Sequence, residues 1–267
     1  MGRRSLIRSC AALLLTACSA SEPGTVGGEE MGAGRPAELT VFAGSSLTTA
    51  FEAIATDFEA AHDGVTTTFN FGPSDGLAAQ IESEGGADVF ASASQAWMDE
   101  VAGTTGVTGR ADFVTNQLVV ITPPDDPAEI GAVEDLTRGG VQVVLAAEGV
   151  PVGDYAREFL ENAGIHDGVL PNVVSNAEDD AAVVATISSG EADAGIVYIS
   201  DVTAEFAPDV RTVPVPDDVN VIATYPIAVV DGSANADLAQ EWVDFVTTGP
   251  GQTRLTDEYG FLPAPTG

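Results

Sequence analysis

The chain has no lysine, and both of its cysteines, Cys10 and Cys18, lie near the start. Its nine basic residues are all arginine and face 41 acidic ones, for a formal net charge of −32. Nucleic-acid binding depends on neutralising phosphates with Lys and Arg, and anionic lipid headgroups are held by basic clusters. A chain with this balance is expected to do neither. Beyond residue 18 no cysteine is left for a disulfide, a thiolate metal site or a nucleophile, so the fold must rest on its core alone. Enzyme signatures are missing too: there is no GxSxG, no HExxH, no P-loop and no EF-hand spacing. His62 and His166 sit in two HDG stretches at helix ends. There an imidazole more often meets the last carbonyls than carries chemistry. Pairs such as Asp125-Asp126, Asp179-Asp180 and Asp217-Asp218 carry little information in so acidic a chain. The acidity itself reads as a solvated surface. The expectation is a protein that is not an enzyme, with no resident cofactor and no metal site of its own.

What is present begins with a leader. Residues 1–17 join a basic start, MGRRSLIR, to a short apolar run, which is the pattern of a signal peptide and too short to span a bilayer. LTAC (15–18) resembles the lipobox of bacterial lipoproteins, which implies cleavage before Cys18 and a lipid on its sulfur. Residues 18–37, rich in Gly, Ser, Glu and Pro, read as a flexible linker.

From residue 38 onward, strand and helix patterns alternate. Strands are predicted at 39–43, 66–71, 87–92, 113–123, 141–146, 172–174, 194–199, 210–215 and 220–230. The spacing of Leu47, Phe51, Ile54 and Phe58 gives one face of a first helix. Further helices are predicted at 74–84, 94–102, 152–163, 178–188 and 235–247. Such alternation argues for an α/β fold with helices on the sheet faces. A helix, a glycine, then Ala-Asp opening a strand occurs twice, in QIESEGGADVFAS and TISSGEADAGIVY, which suggests two lobes of similar build. The long runs 113–123 and 220–230 are candidate crossovers. They divide the chain into a first lobe of 38–117 plus 227–267 and a second of 118–226, with a ligand cleft between them.

Four strand-to-helix turns stand out because they are small, polar and free of base: Gly44-Ser45-Ser46, FGPSDG (71–76), EGVPVGDYA (148–156) and SNAEDDAAV (175–183). Helix N-termini present unpaired N–H groups and a partial positive charge. Taken singly, each turn is more often an ordinary N-cap. Several converging on one place would hold an anion without any cation. No arginine lies between residues 36 and 109, so the first lobe can offer only neutral donors.

The stretches LTVFAGSSLTTAFEAIATDFE, FNFGPSDGLAAQI, GADVFASASQAWMD, LVVITP, VPVGDYAREFL, AEDDAAVVATISSGEADAGIVYISDV, YPIAVV and YGFLP resemble, in order, the molybdate-binding proteins of bacterial ABC importers. The resemblance implies a two-lobed periplasmic-binding-protein fold of type II, with mixed sheets flanked by helices, closing on molybdate or tungstate for delivery to permease subunits. The protein would lie outside the cytoplasm, anchored through Cys18. Carried over by position, the ligand contacts fall on Ser46 and Ser74 (hydroxyl and N–H), Val152 and Asp180 (N–H) and Tyr198 (phenol O–H). Asp180 departs from the branched apolar residue of many relatives. A carboxylate beside a dianion is repulsive, so its side chain is expected to point away. Donors without acceptors would also exclude a protonated oxyanion such as hydrogen phosphate. The alternatives are a sulfate or other small-oxyanion binder, or a sensory co-receptor on the same fold.

Overall fold

The computed structural model describes residues 37–202 and 207–264. The leader, Cys18 and nearly all of the linker therefore lie outside the described residues. The elements are β1 Ala37–Gly44, α1 Thr48–Ala61, β2 Val65–Gly72, α2 Ser74–Glu84, β3 Val89–Ala91, α3 Gln95–Thr104, β4 Val107–Thr122, β5 Val143–Ala146, α4 Pro151–Asn162, α5 His166–Val169, β6 Val173–Ala177, α6 Asp180–Ser188, β7 Ala194–Tyr198, β8 Arg211–Pro214, β9 Ile222–Val230, α7 Ala236–Thr248, α8 Pro250–Asp257 and β10 Leu262–Pro263. The result is the expected α/β alternation with a mixed sheet.

The strand order is β2-β1-β3-β9-β4-β7-β5-β6, with β8 and β10 also paired to β4. β1 runs parallel to β2 and β3, and β5 runs parallel to β6 and β7. These two parallel groups are joined by antiparallel pairing through β4. Its first part pairs with β9 as far as Gln117–Ile222, and its last part pairs with β7 from Leu118–Tyr198 onward. One long strand thus serves both halves of the sheet and changes partners between Gln117 and Leu118. Every strand-to-helix turn singled out above follows the C-terminal end of a parallel strand. In open α/β sheets that is where ligand crevices form.

The first half is closed by both ends of the domain. Phe51 and Phe58 of α1 meet Trp242 of α7 edge-on, at 5.6 Å and 5.2 Å between ring centroids. All three are fully buried. Such edge-to-face pairs add about 0.5–1.5 kcal/mol each beyond the apolar area they bury. In the second half, two glycines set how closely the helices approach the strands. A Cβ on Gly195 of β7 would lie 2.6 Å from Val183 and 3.0 Å from Ile187, so α6 packs directly on that strand. A Cβ on Gly153 would lie 2.2 Å from the Ala147 carbonyl oxygen, so the first turn of α4 is pressed onto the end of β5. These close approaches bring the N-termini of α6 and α4 to the strand ends.

The periodicity misses α5, α8 and β10 and shortens β4. β4 begins at Val107, before the predicted 113, because its first residues are exposed and its register slips between Thr108 and Ala111. That bulge hides the period-2 pattern. α8 was hidden by Gly249-Pro250-Gly251, which reads as a turn. Pro250 is instead the first helical residue, a position where its missing N–H costs nothing. His62 ends α1 as expected, its Nδ1 lying 2.7 Å from the Phe58 carbonyl oxygen. His166 opens the short α5 rather than closing a helix.

Candidate functional site

Ser45 and Ser46 lie in a single 3-10 turn between β1 and α1, closed by the Thr48 hydroxyl donating to the Ser45 carbonyl at 2.7 Å. Ser74 is the first residue of α2 and is 1% exposed. Its Oγ accepts from the Ala93 N–H at 3.0 Å, which leaves its own hydroxyl proton free to donate. Gly44 belongs to the same corner, since a Cβ there would sit 3.4 Å from Ala93 Cβ and 3.6 Å from Ser74 Oγ. The two serine turns therefore adjoin.

Behind Ser46 runs a polar chain that the sequence reading did not include. The Asn116 amide donates to Ser200 Oγ at 2.7 Å and to the Tyr225 hydroxyl at 3.3 Å, and that hydroxyl lies 2.9 Å from Ser46 Oγ. With the phenol accepting from Asn116, its own proton can pass to Ser46 and free the Ser46 hydroxyl to donate outward. Burial holds the Tyr225 phenol well above its ordinary pKa, with Asp201 adding to the shift, so it stays a donor.

The second half contributes α4, α6 and the end of β7. Val152 carries the first N–H of α4, because Pro151 before it has none, and its side chain is buried. Tyr198 ends β7 opposite Leu118, at the point where β4 changes partners. It is 1% exposed, its ring packs edge-on against Tyr225 at 5.7 Å, and its hydroxyl has no hydrogen-bond partner among the described residues. Its pKa also stands well above the usual value, first through burial and then through Tyr225, Tyr155, Asp180 and Asp201. A buried hydroxyl without a partner costs about 1–3 kcal/mol, so one kept at a strand end beside helix N-termini points to a ligand.

Asp180 corrects the sequence expectation. Its side chain does not point away but is 3% exposed and faces the first half, where the Ser45 hydroxyl donates to its Oδ1. The same oxygen accepts the Ala181 N–H at 3.1 Å. The physical reason is local. Asp179 is the N-cap of α6 and accepts from the Ala182 N–H at 2.8 Å, so the solvent-side capping position is filled. Asp180, the first residue of the helix, is turned inward by the close packing of α6 on β7. Burial pushes its pKa up to about 6, against the Ser45 hydrogen bond, and the Asp179 charge pushes the same way. Asp201 lies near Asp180, and its Oδ2 accepts the Tyr198 N–H at 2.9 Å. Its pKa is raised well above the usual range by burial, then by the charge of Asp180.

The two halves touch across this place. Besides Ser45 and Asp180, the Trp97 indole of α3 donates to the Gly149 carbonyl before α4 at 2.9 Å, and Tyr155 of α4 reaches Ser94 at the N-cap of α3. Ser46, Ser74, Val152, Asp180 and Tyr198 each lie at a strand or helix end; Ser46 meets Tyr225, Tyr225 packs on Tyr198, and Ser45 beside Ser46 meets Asp180. Ser45, Asn116, Tyr225, Asp201, Trp97 and Tyr155 are added by the structure. Among the described residues no three His, Cys, Asp or Glu gather as metal ligands, and no helix is long and apolar enough to cross a membrane. A cavity of about 720 Å³, lined in part by Glu38, Asp88 and Asn235, opens at the opposite end of the first half, beside the start of β1. Its polar groups are already paired: Asp88 accepts from the Thr40 N–H at 2.9 Å and from the Ser233 hydroxyl at 2.5 Å.

The sequence model of the bacterial extracellular solute-binding proteins matches residues 39–262. The molybdate-binding protein ModA of Mycobacterium tuberculosis is 36% identical over 249 residues, covering 92% of each chain. That of Escherichia coli is 35% identical over 233 residues, covering 84% of this chain and 88% of its own. Among solved structures, a substrate-binding domain assigned to a molybdenum ABC transporter of Clostridium difficile superposes with a TM-score of 0.66 at 30% identity, over 85% of this chain and 99% of that one.

Proposed function

Because the chain belongs to the bacterial extracellular solute-binding proteins, and among them to the molybdate-binding proteins of ABC importers, we propose that it captures molybdate or tungstate in the crevice between its two half-sheets and passes it to a membrane permease. The observation that carries this reading is the buried hydroxyl of Tyr198, which has no partner among the described residues; the free hydroxyl of Ser74 and the first N–H of α4 supply further donors. A tetrahedral dianion with four acceptor oxygens suits such a set. Losing its water costs at least several kcal/mol per charge. Hydrogen bonds to a charged group return about 1.5–3 kcal/mol each, and helix ends add about 0.3–2 kcal/mol each.

In this reading 38–117 with 227–267 form one lobe and 118–226 the other. They swing about the two crossovers, near 117–119 where β4 changes partners and near 224–226 in β9, the hinge closure used by two-lobed binding proteins. Ser45–Asp180, Trp97–Gly149 and Tyr155–Ser94 are then contacts of the closed form. The leader and a lipid on Cys18 would keep the domain at the outer face of the membrane. The acidic surface would meet basic residues of the permease.

Calorimetric titration of the purified chain with molybdate, tungstate and sulfate tests the proposal. Tight one-to-one binding of the first two with sulfate silent is the expected result. Binding of sulfate alone would move the function to sulfur uptake. Silence from all three would refute the oxyanion site.

A further inference from the structure

Asp180 and Asp201 stand in the crevice as a carboxyl pair. One comes from the first turn of α6, the other from the 3-10 turn after β7, where its Oδ2 accepts the Tyr198 N–H at 2.9 Å. Asp180 already occupies donors that an anion would use, the Ser45 hydroxyl and the Ala181 N–H. Its carboxylate is in effect an internal anion at the α6 N-terminus. A dianion brought onto the same donors would face a second negative charge across a water-poor crevice, where like charges repel strongly.

The other groups facing the pair are Asp179 on α6, Tyr198 on β7, Tyr225 on β9 and, beside Tyr198, Tyr155 on α4. Among the described residues neither carboxyl forms an ion pair with an arginine or a histidine. The Tyr198 hydroxyl, buried and unpartnered, lies among them and marks this as the place where a ligand sits.

Resting on the molybdate reading above, we propose that each oxyanion enters this crevice together with one proton from solvent, which forms an O–H bond on the Asp180 carboxylate and turns that group from a repelling acceptor into a hydrogen-bond donor to the anion. Ser45 and the Ala181 N–H hold the Asp180 carboxyl in place. The elevated position of both carboxyls, with Asp180 near 6, puts this uptake within the neutral range. The sign follows directly: above that value Asp180 is charged before binding and must gain a proton, so affinity falls as pH rises.

Calorimetry of the whole protein with molybdate, in buffers of different ionisation enthalpy at pH 7.5, reads the proton count. The expected slope is about one proton taken up per anion, with Kd weakening about tenfold per pH unit between pH 7 and 8. Asp180→Asn keeps a donor at every pH. It should bind molybdate with a Kd independent of pH over that range and with proton uptake abolished. Tight wild-type binding with zero proton uptake would overturn the inference and leave the molybdate reading standing. So would an Asp180→Asn protein with the unaltered wild-type pH profile. Absence of molybdate binding at every pH would overturn both. The wild-type proton count does not depend on the variant folding.

Discussion

Tyr198→Phe separates the stability of the protein from its function by sign. The substitution removes one oxygen and keeps the ring, including its edge-on packing against Tyr225 at 5.7 Å. The hydroxyl it removes is buried and has no partner among the described residues. Without ligand, its removal relieves a desolvated polar group, worth about 1–3 kcal/mol. A domain of this size gains about 2–4 °C in Tm per kcal/mol, so the variant should melt several degrees higher than wild type. With ligand the same change deletes a donor to a dianion, a loss of about 1.5–3 kcal/mol, or roughly 10- to 150-fold in Kd. Thermal unfolding with and without molybdate, and calorimetry at fixed pH, read both quantities on one preparation. A higher Tm alone, a weaker Kd and a smaller ligand-induced rise in Tm form the expected set. An unchanged Kd would refute placing this hydroxyl against the anion. A lower Tm without ligand would refute its being unpartnered.

Ser74→Ala should move both quantities the same way, because it deletes a donor to the anion and also orphans the Ala93 N–H held at 3.0 Å. Its Tm should fall, by the equivalent of about 1–3 kcal/mol, while Kd weakens. Trp97→Phe removes the indole donor to Gly149 at 2.9 Å and leaves the aromatic packing. The lost hydrogen bond, about 0.5–1.5 kcal/mol, should appear as a 2- to 12-fold faster ligand dissociation in stopped-flow fluorescence, roughly as expected for a contact made on closure. Gly153→Ala sets a Cβ 2.2 Å from the Ala147 carbonyl oxygen, a backbone atom that cannot turn aside. Forcing α4 off β5 should cost about 1–3 kcal/mol or more in chemical denaturation and weaken anion binding through displacement of Val152.

Much of this architecture could be read from residue order because it depends on local signals. α2 was placed at 74–84 and is observed at Ser74–Glu84, since the preceding Pro73 and the following Gly85 punctuate it on both sides. The places of Ser46, Ser74 and Val152 at helix starts are legible because small residues and proline announce such starts. The rest of the site was not, for a geometric reason. Tyr225 and Asn116 lie inside strands, where a polar residue on the period-2 pattern looks the same whether it faces a crevice or a neighbouring strand. Only the Asn116–Ala223 register, with Tyr225 two residues further along β9, brings them together behind Ser46. The inward turn of Asp180 shows itself in a contact with Ser45, 135 residues away in the chain, and such a contact has no signature in a one-dimensional pattern.

The orientation of Asp180 also changes the argument about selectivity. A crevice made only of donors rejects hydrogen phosphate because the proton of that anion finds no acceptor. A charged Asp180 facing inward supplies such an acceptor and would weaken the rejection. In the proposed site, a protonated Asp180 would join Ser46, Ser74, the α4 N–H and Tyr198 in offering a donor to the ligand. The proton that removes the repulsion of a fully ionised oxyanion is therefore also the one that restores discrimination against a protonated competitor. Both effects run in the same direction with pH. This accounts for how a buried carboxyl can stand in a site for a dianion without opening it to the commonest protonated oxyanion.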